Sequence, residues 1–264
     1  MAPTDTLNFQ CVAITGGAGG LGRALAEYFL KLGKKVIIAG RTESKLQKTS
    51  KELGDLPYYV VDTSNLDQVK TFAQKLIKEH PEIDAVVANA GVQLPLDVNN
   101  LKLEDVDAEL RTNAHSPVHL ATHLLDHFKS KPAARIFYVS SVLGFAPFSI
   151  LNPVYNGTKA FIHFWAIAQR VQLKETNVRV IELVPPSVAT ELHRSRVDPK
   201  DSHKNPESLR VEQWISDTAK GLESNADTVS AGPGIALTQK WDETFGQSET
   251  MKKAAASWKG FPTK

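Results

Sequence analysis

The sequence has 264 residues, 42% of them hydrophobic, and a formal net charge of +2. This length allows one large domain or two small ones, and the composition supports a substantial core. The small net charge gives no strong attraction to nucleic acid or to an anionic membrane, so we expect neither as a partner. No apolar run approaches the ~18 residues that are typical of a membrane-spanning helix.

The single cysteine, Cys11, lies in the apolar run Cys11-Val12-Ala13-Ile14. It cannot form an intramolecular disulfide, and such a position is typical of a small buried hydrophobic residue. The chain therefore suits a reducing compartment. Residues 1–10 carry neither a basic region nor an apolar stretch, so they do not resemble a secretory signal. We expect a cytoplasmic protein.

Short apolar runs alternate with amphipathic stretches along most of the chain. The predicted strands are 12–14, 36–39, 58–61, 85–88, 135–139 and 178–184. The predicted helices between them are 21–32, 43–53, 66–79, 103–128 and 154–174. This alternation is typical of a parallel sheet with helices on both faces. We predict an α/β fold in a single domain over residues 1–264, a Rossmann-type doubly wound parallel sheet of about seven strands.

After the sixth strand the pattern lapses into a polar segment with four prolines, and we predict a substrate loop over about 185–209. A helix at 209–222 follows, and the apolar, glycine-containing stretch 229–237 is predicted to be the last strand. The C-terminal extension, 240–264, contains four large aromatic residues: Trp241, Phe245, Trp258 and Phe261. They indicate packing against this subunit or another.

A glycine-rich segment, residues 15–22 (TGGAGGLG), lies between the first predicted strand and the first predicted helix. Glycines allow a tight turn and a close approach of the backbone to a pyrophosphate, whose charge then meets a helix N-terminus. Glycines often mark only a turn, but this strand–loop–helix order predicts a nucleotide site. Its expected contacts are Gly16, Gly20, Leu21 and Gly22.

The residues after the second strand indicate which nucleotide binds. A carboxylate there would bind the ribose 2′-hydroxyl of NAD, whereas an arginine accommodates the 2′-phosphate of NADP. The sequence has Gly40-Arg41, followed by the hydroxyl groups of Thr42 and Ser44. We predict NADP(H) with Arg41 as its main contact; a surface arginine is the alternative. Asp62, at the end of the third strand, is predicted to face the adenine.

Tyr155 and Lys159 are four residues apart in a predicted helix and therefore share one face. An unperturbed tyrosine has a pKa near ~10, and a nearby cation lowers that pKa. The pair is a candidate general acid/base. The same spacing also occurs on ordinary surface helices, so the pair alone does not decide the function.

With four further motifs in order, the sequence resembles the short-chain dehydrogenase/reductase family over nearly the whole chain. The matching residues are Thr15, Gly16, Gly20 and Gly22 of T-G-x-x-x-G-x-G, Asn89-Ala90-Gly91, Asn113, Ser141, and Tyr155 with Lys159. Gly19 also fits the T-G-x-x-G-x-x-G spacing of the extended branch. Chain length and the Asn-Ala-Gly motif favour the shorter branch.

The resemblance implies hydride transfer between nicotinamide and a carbonyl or alcohol carbon. It implies four catalytic residues: Asn113, Ser141, Tyr155 and Lys159. In this family the tyrosine transfers the proton, the lysine lowers its pKa and holds the nicotinamide ribose, and the serine bonds the substrate oxygen. The implied further cofactor contacts are Asn89, Gly91, Tyr155, Lys159, Val188 and Thr190. Ser140 is the alternative to Ser141, because adjacent residues of a strand point to opposite faces.

Two prolines stand out against the family pattern. Pro186 replaces the usual glycine after the sixth strand, which restricts the backbone before Val188 and Thr190. Pro117 follows Asn113 by four residues and lacks the N–H that would bond its carbonyl. In the family a water at this asparagine links the lysine to solvent, so we predict that Pro117 frees the carbonyl for that water. A plain helix kink is the alternative.

Histidines recur every four residues in the helix predicted at 103–128: His115, His119, His123 and His127. Such spacing can bind a metal, but no nearby motif supplies an acidic ligand. We expect a packed or solvated stripe and no metal. The resemblance places this helix in a subunit interface, so we expect a homodimer or homotetramer.

The segment 143–154 and the loop after Thr190 are predicted to wall the substrate pocket. The segment is rich in apolar residues: Leu143, Phe145, Ala146, Phe148, Ile150 and Leu151. We therefore expect a hydrophobic ketone or aldehyde, or the matching alcohol, although His193, Arg194 and Arg196 could bind a charged group. Two rival functions stay open. One is a non-catalytic NADP(H)-binding regulator, which usually lacks the tyrosine or lysine; the other is an epimerase or dehydratase.

Overall fold

A computed structural model describes residues 5–193, 200, 205–246 and 249–260. In the described chain all the strands run parallel in one sheet, in the order β3-β2-β1-β4-β5-β6-β7. They are β1 (Cys11–Thr15), β2 (Lys35–Gly40), β3 (Tyr58–Val60), β4 (Ala85–Ala88), β5 (Ala134–Val139), β6 (Val178–Val184) and β7 (Thr228–Ser230). The chain order reverses between β1 and β4, which opens a crevice at the carboxyl ends of the strands.

The helices follow the strands in alternation. They are α1 (Gly20–Lys31), α2 (Glu43–Glu52), α3 (Leu66–Glu79), α4 (Leu103–Leu110), α5 (Ser116–Lys129), α6 (Pro153–Gln172), α7 (Val211–Glu223), α8 (Gly234–Trp241) and α9 (Glu249–Ser257). Local sequence sets some of their ends. The Asn65 side chain accepts from the backbone N–H groups of Asp67 and Gln68 and so caps α3. Gly33, with φ +74°, ends the turn after α1.

Two apolar clusters, one on each face of the sheet, form the core. One joins the strands to α3, α5 and α6, and the other joins them to α1, α2 and α7. Every residue of β1 and of β4 is buried, as expected of strands covered on both faces. Cys11 belongs to this core, and burial raises the pKa of its thiol to about 12. The predicted doubly wound sheet and the predicted buried cysteine are confirmed; the single-domain assignment stays a prediction.

The prediction of a single strand over 229–237 is wrong beyond the first residues of that stretch. The strand β7 ends at Ser230 and α8 begins at Gly234. Gly232 takes a left-handed φ of +49°, which ends the extended backbone. A Cβ at Gly234 would lie 2.3 Å from the Ser230 hydroxyl, so the turn closes too tightly for a side chain. Apolar composition alone did not separate the short strand from the helix.

The helix predicted at 103–128 is interrupted by a π turn at Arg111–His115, which separates α4 from α5. Pro117 cannot donate to the carbonyl of Asn113, so the ordinary i to i−4 ladder cannot run unbroken through this region. The Ser116 N–H bonds the Arg111 carbonyl instead, five residues back. Single π turns of this kind occur often at functional sites.

The predicted substrate loop is described in part. After a 3-10 turn at Glu191–His193, positions 194–199 and 201–204, which include Arg194 and Arg196, lie outside the described residues. Val188 pairs with Leu209 in an isolated parallel bridge, which ties the two ends of the loop together.

The aromatic residues of the C-terminal extension pack partly within this subunit. The Trp241 ring lies 4.4 Å from His163 and 5.7 Å from Phe145, measured between centroids, and Phe245 lies 5.6 Å from Trp241. Phe261 lies outside the described residues. Within the described chain, no helix combines the length and the hydrophobicity that crossing a bilayer needs.

Candidate active site

The glycine-rich loop forms a tight cradle at the carboxyl end of β1. Gly16 and Gly20 have φ values of +67° and +51°, in the left-handed region that favours glycine. A Cβ at Gly22 would lie 2.3 Å from the Gly16 carbonyl oxygen. Helix α1 begins after Gly19 with no side-chain cap and no acidic residue in its first turn. Its free N–H groups and positive dipole end therefore suit a phosphate group.

Thr15 joins this loop to the segment after β4. Its hydroxyl accepts from the backbone N–H groups of Asn89 and Ala90, both at 3.0 Å. The Asn89 side-chain amide in turn donates to the Thr15 carbonyl oxygen at 2.8 Å. The two motifs, 74 residues apart in sequence, thus form one rigid wall.

A cleft of about 1580 Å³ runs along the carboxyl edge of the sheet. Ligand pockets for drug-sized molecules measure roughly 300–1,000 Å³, so this cleft has room for a dinucleotide and a further small molecule. Among the predicted residues, those that line it are Gly16, Gly20, Leu21, Arg41, Asn89, Gly91, Ser141, Tyr155, Lys159, Val188 and Thr190. The structure therefore brings most of the predicted site together.

One end of the cleft is basic. Arg41, at the end of β2, lines it together with Lys45 and Lys48 of α2. The two lysines were missed from the sequence, although they are three residues apart within α2 and therefore lie on one side of that helix. Lys45 Nζ forms an ion pair of 2.6 Å with Glu191, which lies beyond β6. This ion pair links the two sides of the cleft.

Asp62 is turned toward its own loop. Its carboxylate accepts from the Ser64 N–H at 2.9 Å and from the Ser64 hydroxyl at 2.8 Å. Its neighbours Val61 and Thr63 line the cleft. The contact of Asp62 with adenine stays a prediction.

Tyr155 and Lys159 lie buried on α6, one turn apart. Lys159 Nζ lies 5.4 Å from the centroid of the Tyr155 ring and donates to the Val139 carbonyl at 2.8 Å. Gly91 comes close as well, because a Cβ there would lie 3.9 Å from Lys159 Nζ. The helix spacing predicted from the sequence thus becomes a buried, fixed pair.

The pKa of Tyr155 reflects its burial and two neighbouring side chains. Burial raises the pKa of the phenol above its usual range, a hydrogen bond with Ser141 lowers it, and the Glu109 charge raises it. Burial also lowers the pKa of Lys159 to about 8, opposed by the charges of Glu109 and Glu182. Desolvation is the largest of these effects on the phenol. That Lys159 lowers the pKa of the phenol stays a prediction.

Ser140 and Ser141 have different surroundings. The Ser140 hydroxyl donates to Glu182 at 2.5 Å, and the other oxygen of Glu182 lies 2.9 Å from His163 Nδ1. Ser141 interacts with the Tyr155 phenol instead. The geometry favours Ser141 as the residue that serves the site.

Asn113, in the π turn, fastens the helix to the site. Its Oδ1 accepts from the Val92 N–H at 2.9 Å, and its Nδ2 donates to the Val92 carbonyl at 2.8 Å. Nδ2 also lies 3.3 Å from the Thr158 hydroxyl, on the turn that holds Lys159. The side chain thus clamps the loop after β4 to α6. The role of its backbone carbonyl in holding a water stays a prediction.

The chain was compared with known proteins. The sequence profile described as short chain dehydrogenase matches residues 10–201. The chain belongs to the short-chain dehydrogenase family. It is 33% identical over 246 residues to the uncharacterized oxidoreductase DltE of Bacillus subtilis, covering 91% of this chain and 97% of that protein. It is 31% identical over 176 residues to the NADP-dependent 3-hydroxy acid dehydrogenase YdfG of Escherichia coli K12, covering 66% and 71%.

Solved structures share the fold of this family member. A short-chain dehydrogenase from Sphingobium yanoikuyae in complex with NADPH has a TM-score of 0.82 at 21% identity, over 97% of this chain and 98% of that one. The closed form of serine dehydrogenase complexed with NADP⁺ has a TM-score of 0.76 at 25% identity, over 97% and 99%. The chain is thus an oxidoreductase with the Rossmann-type fold of short-chain dehydrogenases.

In this short-chain dehydrogenase the segment after β6 forms the opposite side of the cleft. Pro185, Pro186, Val188 and Thr190 all line it. The Pro185 carbonyl accepts from the Val142 N–H at 3.1 Å, which joins this side to the segment after β5. Thr190 meets the glycine loop, since a Cβ at Gly20 would lie 3.4 Å from its methyl group. Val188 and Thr190 thus line the cleft although Pro186 precedes them. Their contact with the nicotinamide stays a prediction.

The outer mouth of the cleft carries exposed apolar side chains. Phe148 lines the cleft and is 70% exposed, and Ile150 and Leu151 nearby are 91% and 68% exposed. The Leu151 carbonyl accepts from the Leu96 N–H at 2.9 Å, which ties this segment to the loop after β4. Phe148 thus adds an apolar surface to the cleft that Tyr155 also lines.

The histidine stripe lies away from the cleft. The rings of His119 and His123 are 6.1 Å apart, and His127 Nε2 lies 3.1 Å from the Ile83 carbonyl oxygen. Among the described residues, no group of three or more His, Cys, Asp or Glu side chains is placed to hold a metal.

Proposed function

We propose that this chain is an NADP(H)-dependent oxidoreductase that acts on a carbonyl group or a secondary alcohol. The observation that carries the proposal is the buried group of Tyr155, Lys159 and Ser141 on the wall of a cleft whose other end is a glycine loop with a basic patch. A regulator that only bound the nucleotide would have no use for the tyrosine and lysine.

The residues present fit the cofactor. The free N-terminus of α1 and the crowded glycine loop suit a pyrophosphate, and Arg41 with Lys45 suits a 2′-phosphate. We assign Asn89, Gly91, Val188 and Thr190 to the rest of the nucleotide. When bound, NADP(H) supplies or accepts the hydride. The NADP-dependent relative YdfG supports the same cofactor here.

The chain's own residues handle the proton. In reduction, the carbon of the substrate carbonyl gains the hydride, and its oxygen takes the proton of the Tyr155 hydroxyl. Burial raises the pKa of Tyr155, which favours the neutral phenol, the form that can donate a proton. Ser141 donates a hydrogen bond to the same oxygen, and the Lys159 charge stabilises the phenolate left behind. In oxidation each transfer runs in reverse.

The apolar mouth supports a hydrophobic substrate. Burying an apolar group stabilises a complex by roughly 25 cal/mol per Å². Phe148 offers such area in the cleft that Tyr155 also lines, and Ile150 and Leu151 are exposed in the same segment. A carboxylate placed there would lose its hydration without a partner on this segment. We therefore propose a hydrophobic ketone or aldehyde, or the matching alcohol, as the substrate class.

A panel of size-matched ketones, apolar and carboxylate-bearing, tests this substrate class. We expect NADPH consumption with the apolar members, and a KM about tenfold higher in Phe148→Ala, since roughly 1.4 kcal/mol of apolar contact corresponds to tenfold in affinity. Phe245→Ala, at an exposed phenylalanine outside the cleft lining, is the matched control and should leave KM unchanged. Faster turnover of the charged members would contradict the proposed class.

The same panel separates the rival functions. Tight NADPH binding without turnover of any member would favour a regulator. Turnover of a substrate without net consumption of cofactor would favour an epimerase.

We also propose that the chain forms a homodimer or homotetramer. Phe161 and Phe164 leave exposed rings on α6, which a second copy could cover. Sedimentation of the purified protein tests this; a monomer at micromolar concentration would contradict it.

A further inference from the structure

Glu109 is a buried carboxylate that the proposed reaction does not use. It lies in α4 with 0% of its surface exposed. Its Oε1 accepts from the Leu94 N–H at 3.2 Å, while Oε2 has no hydrogen-bonding partner among the described groups. Burying a carboxylate with one oxygen unpartnered costs free energy. A surface helix would ordinarily place such a residue in water.

The position of Glu109 connects it to the catalytic helix. It lies one helical turn before Asn113, which reaches both the loop after β4 and Thr158 of α6. Its charge acts on both Lys159 and Tyr155. In the described chain, the ion pairs within 4.0 Å do not join Glu109 to Lys159, whose Nζ donates to the Val139 carbonyl. The influence is therefore electrostatic, between two buried side chains on helices that pack against each other.

Lys159 needs such support because only 4% of its surface is exposed. Burial lowers the pKa of its ammonium to about 8, and the carboxylate of Glu109 is the foremost group that raises it. Glu182 acts in the same direction, but Ser140 and His163 already occupy its two oxygens. The other titratable neighbours are Tyr155 and His163 on the same helix as Lys159, and Asp105 beside Glu109. Burial raises the pKa of Glu109 itself to about 7.

We propose that Glu109 is a positioning residue whose buried carboxylate keeps Lys159 positively charged while Tyr155 transfers its proton. The expected effect on turnover rests on the proposed function. The charge coupling between Glu109 and Lys159 does not depend on that function. Glu109 also holds the backbone at Leu94, so a purely structural role is the competing explanation.

Glu109→Gln separates the two roles, because an amide oxygen can still accept from the Leu94 N–H while the charge is lost. We expect the pKa of Lys159, followed by NMR of ¹³C-labelled lysine, to fall by about one unit. The high-pH loss of kcat/KM should move to lower pH by the same amount. Below pH 7, where Glu109 is protonated in the wild type, the two proteins should converge. Glu104→Gln, an exposed position of the same helix, is the matched control and should change neither.

An unchanged Lys159 titration in folded Glu109→Gln would overturn the proposal and leave the structural role. If that variant does not fold, Lys159→Met provides the test. Loss of the ammonium should raise the pKa of the Glu109 carboxyl, measured by NMR of ¹³C-labelled glutamate. An unchanged pKa of Glu109 would overturn the coupling. Neither titration uses a substrate. If the wild type turned over no carbonyl compound, the proposed function would fail while the titrations still decided the coupling.

Discussion

Replacing Tyr155 by phenylalanine should lower kcat/KM for carbonyl reduction by about 10²–10⁴-fold, the usual range for loss of a general acid. The buried phenol is the group assigned to donate the proton, and phenylalanine keeps its shape and packing. The affinity for NADPH should change little, because the glycine loop and the basic patch are untouched. Steady-state kinetics with an apolar ketone and fluorescence titration of NADPH measure the two effects.

Tyr28→Phe is the matched control for this prediction. Tyr28 lies on α1, where its hydroxyl bonds Glu223 at 3.2 Å, outside the cleft lining. That variant should keep wild-type kinetics. Retention of turnover by Tyr155→Phe would show that another group supplies the proton.

The double substitution Gly40→Asp with Arg41→Ile should reverse the cofactor preference from NADPH to NADH. Losing a charged hydrogen bond to a phosphate costs about 1.5–3 kcal/mol, which corresponds to a rise of about 10–100-fold in KM for NADPH. The new carboxylate repels the 2′-phosphate of NADPH and accepts a hydrogen bond from the ribose hydroxyl of NADH. The position tolerates the change, because a Cβ at Gly40 would meet only Leu46 Cδ2, at 3.7 Å. Kinetics with both cofactors provide the measurement.

Gly40→Ala with Arg41 retained controls for the added side chain and should keep the NADPH preference. Lys45 and Lys48 also line this end of the cleft, so some NADPH binding should persist in the double variant. If the ratio of the two KM values stayed at the wild-type level, Arg41 would be a surface residue and the NADP(H) assignment would lose its main support.

The sequence predicted those parts of the site that local pattern determines. The glycine loop, Asn89-Ala90-Gly91 and the Tyr155–Lys159 spacing each follow from a strand or helix and the turn beside it. Because parallel strands bring their carboxyl ends to one edge, these separate motifs had to meet in one cleft. The fold, and the meeting of most predicted site residues in one cleft, could therefore be derived from the sequence.

The features of the site that could not be predicted from the sequence depend on burial and on contacts between distant segments. The pKa of Tyr155 could not be judged from a lysine four residues away, since the depth of α6 in the core decides it. The pair of Lys45 with Glu191 joins residues 146 positions apart. Glu109 looked like one acidic residue among several on a helix, and only the packing of α4 against α6 shows that it is buried.

Transfer of deuterium from NADPH labelled at C4 of the nicotinamide tests the central claim most directly. Incubating the protein with this cofactor and an apolar ketone should yield an alcohol carrying one deuterium at the former carbonyl carbon, as measured by mass spectrometry. The Tyr155→Phe protein should yield almost none in the same time. Cofactor binding without label in any product, across apolar ketones and aldehydes, would contradict the assignment of this chain as a carbonyl oxidoreductase.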